Sequence, residues 1–308
     1  MLDAAFRAIP LRCFGPVRRM FVRLPRGNLV RNASVLVLKR AARAYRNRLA
    51  AKVDAIVPLD RPDVSFEAVD SMVMDAVYWF GIGGYEGTVA DIWVRLCQRA
   101  HSVLEIGGNV GLFSVIGGRA AVGPYTVIEP VPEVAAVLQK NLRRNGVAER
   151  VELRQAAAIP DLVERDVVLN VPAENRAAPV GAHLVEGVEI TARSSERHVT
   201  VRGLPIRDLM AGRDLIKIDA EGIEAELLTA GRDIVLSKKP DLLIEVLPEA
   251  HRLAALLCAL AQEAGYRMFV LPEYGSDHIV EIEPASFTAL VPLQHHAKDV
   301  LLTTVPLG

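Results

Sequence analysis

Residues 101–111 read HSVLEIGGNVG, and the way this stretch divides decides the fold. Val103, Leu104 and Ile106 form a short apolar run that stops at glycines, which predicts a buried strand. Gly107, Gly108 and Gly111 follow at once, and residues 110–119 then carry a helical pattern. Strand, glycine-rich turn and helix make the unit with which an α/β fold opens a nucleotide site. Glycine lets backbone approach a ligand closely, and a helix start offers unpaired N–H groups. The spacing carries further information. A dinucleotide fingerprint, G-x-G-x-x-G counted from Gly107, needs glycines where Asn109 and Leu112 stand; the chain has E-x-G-x-N-x-G instead.

The next apolar run is YTVI at residues 125–128, and Glu129 ends it just before Pro130. A carboxylate at that strand end can accept hydrogen bonds from two ribose hydroxyls. Alone it does not choose among nucleotide cofactors. Helices are expected at 88–99, 133–144, 223–230 and 250–264, and strands at 151–154, 215–218, 241–246, 268–271 and 300–305. This alternation predicts a doubly wound, mostly parallel sheet with helices on both faces. Ligands of such sheets lie beyond the carboxyl ends of the strands. The glycine loop, Glu129 and the segment Asp219-Ala-Glu221 all fall there. Asp219 and Glu221 are therefore candidate catalytic acids, able to take or orient a proton. Lys217 lies two residues earlier, on the same side of the strand, and can pair with them. A D-x-E pair can also hold Mg²⁺, yet no third ligand is identifiable, and no histidine has supporting spacing, so no metal is expected.

Outside this frame the sequence is less regular. Residues 34–56 suggest an amphipathic helix whose apolar stripe must pack on the body or on a second copy. Residues 69–80 look extended, 81–87 look like a flexible loop, and 159–200 look irregular. A loop-rich insert at about 160–200 is expected to face substrate. The division expected is thus a basic, largely helical extension over 1–60 and a catalytic domain over 61–308. Of 308 residues, 51% are hydrophobic, enough for one large core. The net charge of −1 hides an asymmetry: residues 1–53 hold 13 Arg and Lys against one acid, Asp3. Such an arm is expected to mediate packing or association, with an anionic surface as one partner. Arginines interrupt the N-terminal apolar residues, no run reaches the ~18 residues of a membrane span, and three scattered cysteines form no CxxC pair. A cytoplasmic protein is the expectation.

One stretch carries a family resemblance. LIKIDAEGIEAELLTAG at 215–231 resembles the K-I-D-x-E-G-x-E hallmark of the FkbM-type methyltransferase family. VLEIGGNVGLFS (103–114) resembles the first motif of class I methyltransferases, in which Asp often replaces Glu105. GYEG (84–87), LQKNLRRNGV (138–147) and PDLLIEV (240–246) resemble further parts of the family pattern. The resemblance implies a seven-stranded Rossmann-like class I methyltransferase sheet with S-adenosylmethionine as methyl donor. It implies O-methylation of a hydroxyl on a small molecule, natural product or glycan. By motif position Glu86, Glu105, Gly107, Asn109, Gly111 and Glu129 would hold the cofactor, with Ala156 and Ala157 beside the adenine. The competing readings are an NAD-linked oxidoreductase, disfavoured by the missing glycines, and a non-catalytic S-adenosylmethionine-binding protein. A nucleic-acid substrate is not expected, because the arm lacks interleaved aromatics and the body is acidic. A homo-oligomer is compatible with the arm's apolar stripe.

Overall fold

Eight strands build the central sheet: β1 (Val103–Ile106), β2 (Tyr125–Ile128), β3 (Val151–Arg154), β4 (Leu215–Ile218), β5 (Asp241–Glu245), β6 (Arg267–Leu271), β7 (Val280–Ile282) and β8 (Asp299–Thr303). The computed structural model describes residues 2–25, 28–45, 48–172, 178, 182–184, 196–247, 249–271, 279–287 and 299–307. In space the strands run β7-β6-β8-β5-β4-β1-β2-β3. Strands β1 to β5 are parallel to their neighbours among themselves, while β8 is antiparallel to both β5 and β6. The sheet is thus the expected class I methyltransferase-like α/β sheet, with one strand more than expected. The addition is β7, antiparallel to β6 at the edge. It is three residues long and largely exposed, so it leaves no apolar run to read.

β1, β2 and β4 are buried at every position, as strands covered by helices on both faces must be. Chain order reverses between β1 and β4, which opens a crevice at their carboxyl ends. The helices Gly87–Arg99, Leu112–Ala120, Pro132–Arg144, Glu224–Ala230 and His251–Ala264 stand where the periodicity put them. Cys97 and Cys258 are buried thiols and Cys13 is exposed.

Three segments differ from expectation. Residues 69–80 are not extended: Met72–Phe80 is a helix that buries Val73, Met74 and Val77, a helical spacing hidden in a continuous apolar run. Residues 81–87 hold a short helix, Ile82–Tyr85, pinned by Asp60, whose carboxylate accepts from the N–H groups of Ile82 (3.1 Å) and Gly83 (2.6 Å). The insert is ordered where described. Ala157–Ile159, Arg165–Pro172, His183–Leu184 and Glu196–Pro205 form a separate four-stranded sheet. Along Arg165–Pro172, Val167, Leu169 and Val171 are buried while their neighbours are not. The signal there has period two, and a search for longer periods passes over it. Residues 185–195 lie outside the described residues.

The basic arm folds as three helices, Leu2–Ala8, Gly15–Arg23 and Leu29–Tyr45, so the expected helix starts earlier and ends sooner. Its apolar face packs on the body. Trp79 receives Phe14 edge-on at 5.4 Å and Tyr45 at 6.0 Å between ring centroids. The Arg18 Nε donates to the Tyr78 carbonyl at 2.8 Å, and its guanidinium lies 3.6 Å from the Tyr78 ring centroid. Phe14, Phe21, Leu38 and Tyr45 belong to the same core as the helices of the sheet's face. No described helix is long and apolar enough to cross a membrane.

Trp79 is 1% exposed at the centre of this seam. Truncating it to alanine should cost about 3–5 kcal/mol in urea-induced unfolding. Limited proteolysis should then cut near residue 50 in conditions where the parent resists. Parent-like resistance would show that the arm docks without this ring.

Candidate active site

The turn after β1 is shaped by three glycines, and Gly107 is the decisive one. Its φ is +84°, and a Cβ there would sit 1.9 Å from the Asp219 carbonyl oxygen. The glycine loop and the loop after β4 therefore touch backbone to backbone. The N–H groups of Gly107 and Gly108 both donate to the Ile128 carbonyl, at 3.0 and 3.1 Å. Gly111, φ +88°, starts the helix Leu112–Ala120. Asn109 has a positive φ of 46°, and its Oδ1 accepts from the Val110 N–H at 2.7 Å.

Glu129 closes the other side. Its Oε2 accepts from the Asn109 N–H (2.8 Å) and its Oε1 from the Val131 N–H (2.9 Å). Burial pushes its carboxyl up to about 7, against the pull of those two donors and with help from Asp219. Each oxygen keeps a further lone pair for a ligand hydroxyl.

The third wall is the segment after β4. Lys217 is 3% exposed and donates from Nζ to Asp219 Oδ2 at 2.8 Å. Burial alone would lower the lysine, but Asp219 and Glu105 outweigh it and hold it as an ammonium. Glu221 sits at φ +53°, unusual for a non-glycine residue. Glu224 holds this turn from behind: its carboxylate accepts from the N–H of Ala220 (2.8 Å) and of Gly222 (3.1 Å).

One cleft gathers most of the expected residues. Glu86, Gly107, Asn109, Glu129, Ala157, Asp219 and Glu221 line it. Four others stand behind its wall. Glu105 is buried, with Oε2 accepting from Ser114 Oγ (2.7 Å) and Tyr125 OH (2.5 Å). Lys217 reaches the cleft through Asp219, Gly111 packs against Leu138, and Ala156 is turned into the core while Ala158 lines in its place. Sequence reasoning missed Glu245 at the end of β5, a buried acid on the cleft, although the signal that marked Glu129 is present there too. It also missed Met72 and Val73 of one helix, which line the cleft together with Leu169 and Ala182 of the insert. Among the described residues, no group of three or more His, Cys, Asp or Glu is placed to hold a metal ion.

The model of the FkbM methyltransferase domain matches residues 105–268, just over half of the chain. A catechol O-methyltransferase from Niastella koreensis is 31% identical over 107 residues, which are 33% of this chain and 48% of that protein. The chain thus spans about half the length of the curated relative it matches. Among solved structures, the FkbM methyltransferase of Methylobacillus flagellatus is similar over 96% of this chain and 62% of its own, with 15% identity and a TM-score of 0.41. An O-methyltransferase from Bacillus cereus in complex with SAH is similar over 70% of this chain and 79% of its own, with 13% identity and a TM-score of 0.39.

The close approach at Gly107 makes a sharp test. Gly107→Ala must push the Asp219 carbonyl away and adopt a left-handed backbone, at a cost of about 1–3 kcal/mol. Thermal unfolding should shift down by several degrees, and calorimetry should show loss of nucleoside-cofactor binding in the folded fraction. Parent-like values for both would mean that the two loops are not in contact.

Proposed function

The chain belongs to the FkbM methyltransferase family, and from that membership we propose that it moves a methyl group from S-adenosylmethionine to a hydroxyl of a small molecule, natural product or glycan. The charge of the cleft carries the cofactor reading. Among the described residues that line it, five are acidic (Glu86, Glu129, Asp219, Glu221, Glu245) and none is Arg, Lys or His. Such a wall suits a cationic sulfonium with an ammonium tail and repels the pyrophosphate of a dinucleotide. Glu129, fixed by two backbone donors with lone pairs to spare, suits the ribose diol. The glycine cradle, which a Cβ would fill, suits close approach of the cofactor.

When bound, S-adenosylmethionine supplies a methyl group already activated on sulfur. The protein's task is then to hold an acceptor oxygen in line and to manage its proton. Asp219 and Glu221 stand at the carboxyl end of β4, where they can accept a hydrogen bond from that hydroxyl and take its proton. Lys217 fixes the Asp219 carboxylate and acts as a positioning residue. Met72, Val73, Leu169 and Ala182 offer the carbon frame of the acceptor an apolar bed and exclude water. The insert is, in this reading, the acceptor-facing part of the catalytic domain.

Two measurements test the assignment. Asp219→Asn keeps the shape and removes the charge. Turnover should fall by about 10²–10⁴ with donor affinity little changed; near-parent turnover would remove Asp219 from the catalytic set. Glu129 gives a pH test. Its carboxyl is held up to about 7 in the free protein, and ionisation favours acceptance of two hydroxyls. Donor affinity should therefore weaken as pH falls below about 7, and near pH 6.5 binding should release a proton, seen as a buffer-dependent calorimetric enthalpy. Both effects should vanish in Glu129→Gln. A pH-independent parent would place the ribose elsewhere.

A further inference from the structure

The helix Leu29–Tyr45 has two faces of different character. Ser34, Leu38, Ala41, Ala44 and Tyr45 are buried against the rest of the protein. Away from them Leu29 is 84% exposed and Leu36 67%, and on the flank Val30 is 52% and Val37 37% exposed, four large apolar residues within three helical turns. At 100° per residue Leu29 and Leu36 share one sector with the exposed Arg40, and Val30 and Val37 lie between that sector and the buried face. Lys39, Arg40 and Arg43 are exposed over the following turns, so the outer face is apolar at its start and cationic at its end. Scattered exposed hydrophobics are ordinary on a protein surface, whereas a grouped set rimmed by charge marks an interaction site.

We propose that this face docks the protein peripherally on a bilayer containing acidic phospholipid. Charge decides the occupant. Residues 1–53 carry 13 basic side chains and one acid, whereas the remainder carries 23 basic and 36 acidic ones. An anionic surface therefore attracts the arm and repels the body, which orients the protein on contact. A second copy joined arm to arm would bring two such cationic surfaces together. The segment before this helix adds the exposed Arg7, Arg12, Arg19 and Arg23. Apolar side chains that enter the headgroup boundary while lysine and arginine stay at the phosphates are how an interfacial amphipathic helix binds. The helix has 17 residues and is not long and apolar enough to cross a bilayer, so the docking proposed is peripheral.

The test uses the full chain and co-sedimentation with phosphatidylcholine vesicles, with and without phosphatidylglycerol. Binding should require phosphatidylglycerol and weaken as salt rises. Leu29→Ser with Leu36→Ser, and separately Lys39, Arg40 and Arg43 each changed to Gln, should each cut the bound fraction by about ten-fold. Thermal unfolding and S-adenosylmethionine binding should not change, because all five side chains are exposed and none lines the cleft. Three results would overturn the proposal. One is no binding to the acidic vesicles. Another is binding that the serine pair leaves intact, which reports charge alone. The last is a solution dimer that light scattering shows the serine pair to split, while vesicle binding persists; the face then belongs to a second copy.

Discussion

An ammonium group buried in the middle of a parallel sheet must be neutralised, and the site takes its shape from how that is done. Lys217 on β4 stands in register with Glu105 on β1, so their side chains share a face of the sheet. Its Nζ reaches Asp219 Oδ2 and lies 4.8 Å from the centre of the Phe113 ring. Glu105 is pushed up to about 7 by burial, and Lys217, Tyr125 and Ser114 pull the other way. A buried charge that loses its partner costs several kcal/mol, roughly 3–5, so the three groups stand or fall together. Glu105 therefore contributes to the site without lining it: it balances the lysine that aims Asp219.

Backbone strain follows the same geography. Of the described non-glycine residues, three have positive φ, and two of these, Asn109 and Glu221, line the cleft. Such conformations persist only where the surroundings impose them. At Asn109 the imposing contact is the Glu129 carboxylate on its N–H, and after Glu221 it is the Glu224 carboxylate on the turn. Carboxylates thus hold both loops, and the second loop presents two more, Asp219 and Glu221, to the cleft. The crowding has an electrostatic consequence, since Asp219 adds to the burial that raises Glu129. A cationic ligand relieves that repulsion as it enters, which ties affinity to protonation.

The parts of this arrangement that were legible in the sequence share a physical reason. β1, β2 and β4 are buried on both faces, so they appear as mostly apolar runs, and an acid or glycine at the end of such a run stands out. Glu129 and Asp219 were found that way. Glu245 offered the same signal and was passed over, because no neighbouring motif drew attention to it. Glu105 was placed on the cofactor by motif, since nothing in a strand sequence says which partner waits on the neighbouring strand. Met72–Phe80 is apolar nearly throughout, so neither period dominates, and only packing against Phe14 and Tyr45 makes it a helix beneath the arm. The insert hid because its alternation spans one strand whose partner, Glu196–Pro205, is far along the chain.

The arm and the cleft meet at one glycine. A Cβ on Gly84 would lie 2.8 Å from a ring carbon of Phe21, and two residues later Glu86 enters the cleft wall. The short helix Ile82–Tyr85 is held at its start by Asp60 and at its middle by the arm. Met72, Val73, Tyr85 and Glu86 all precede residue 105, where the family match begins. The matched stretch supplies the glycine loop, Glu129 and the acids after β4. The rest of the cleft wall comes from Met72 and Val73, on a helix braced by the arm, and from Leu169 and Ala182 of the insert, which lies within the matched stretch. Substitutions in those braces can reshape the cleft while leaving the Lys217–Asp219 pair in place.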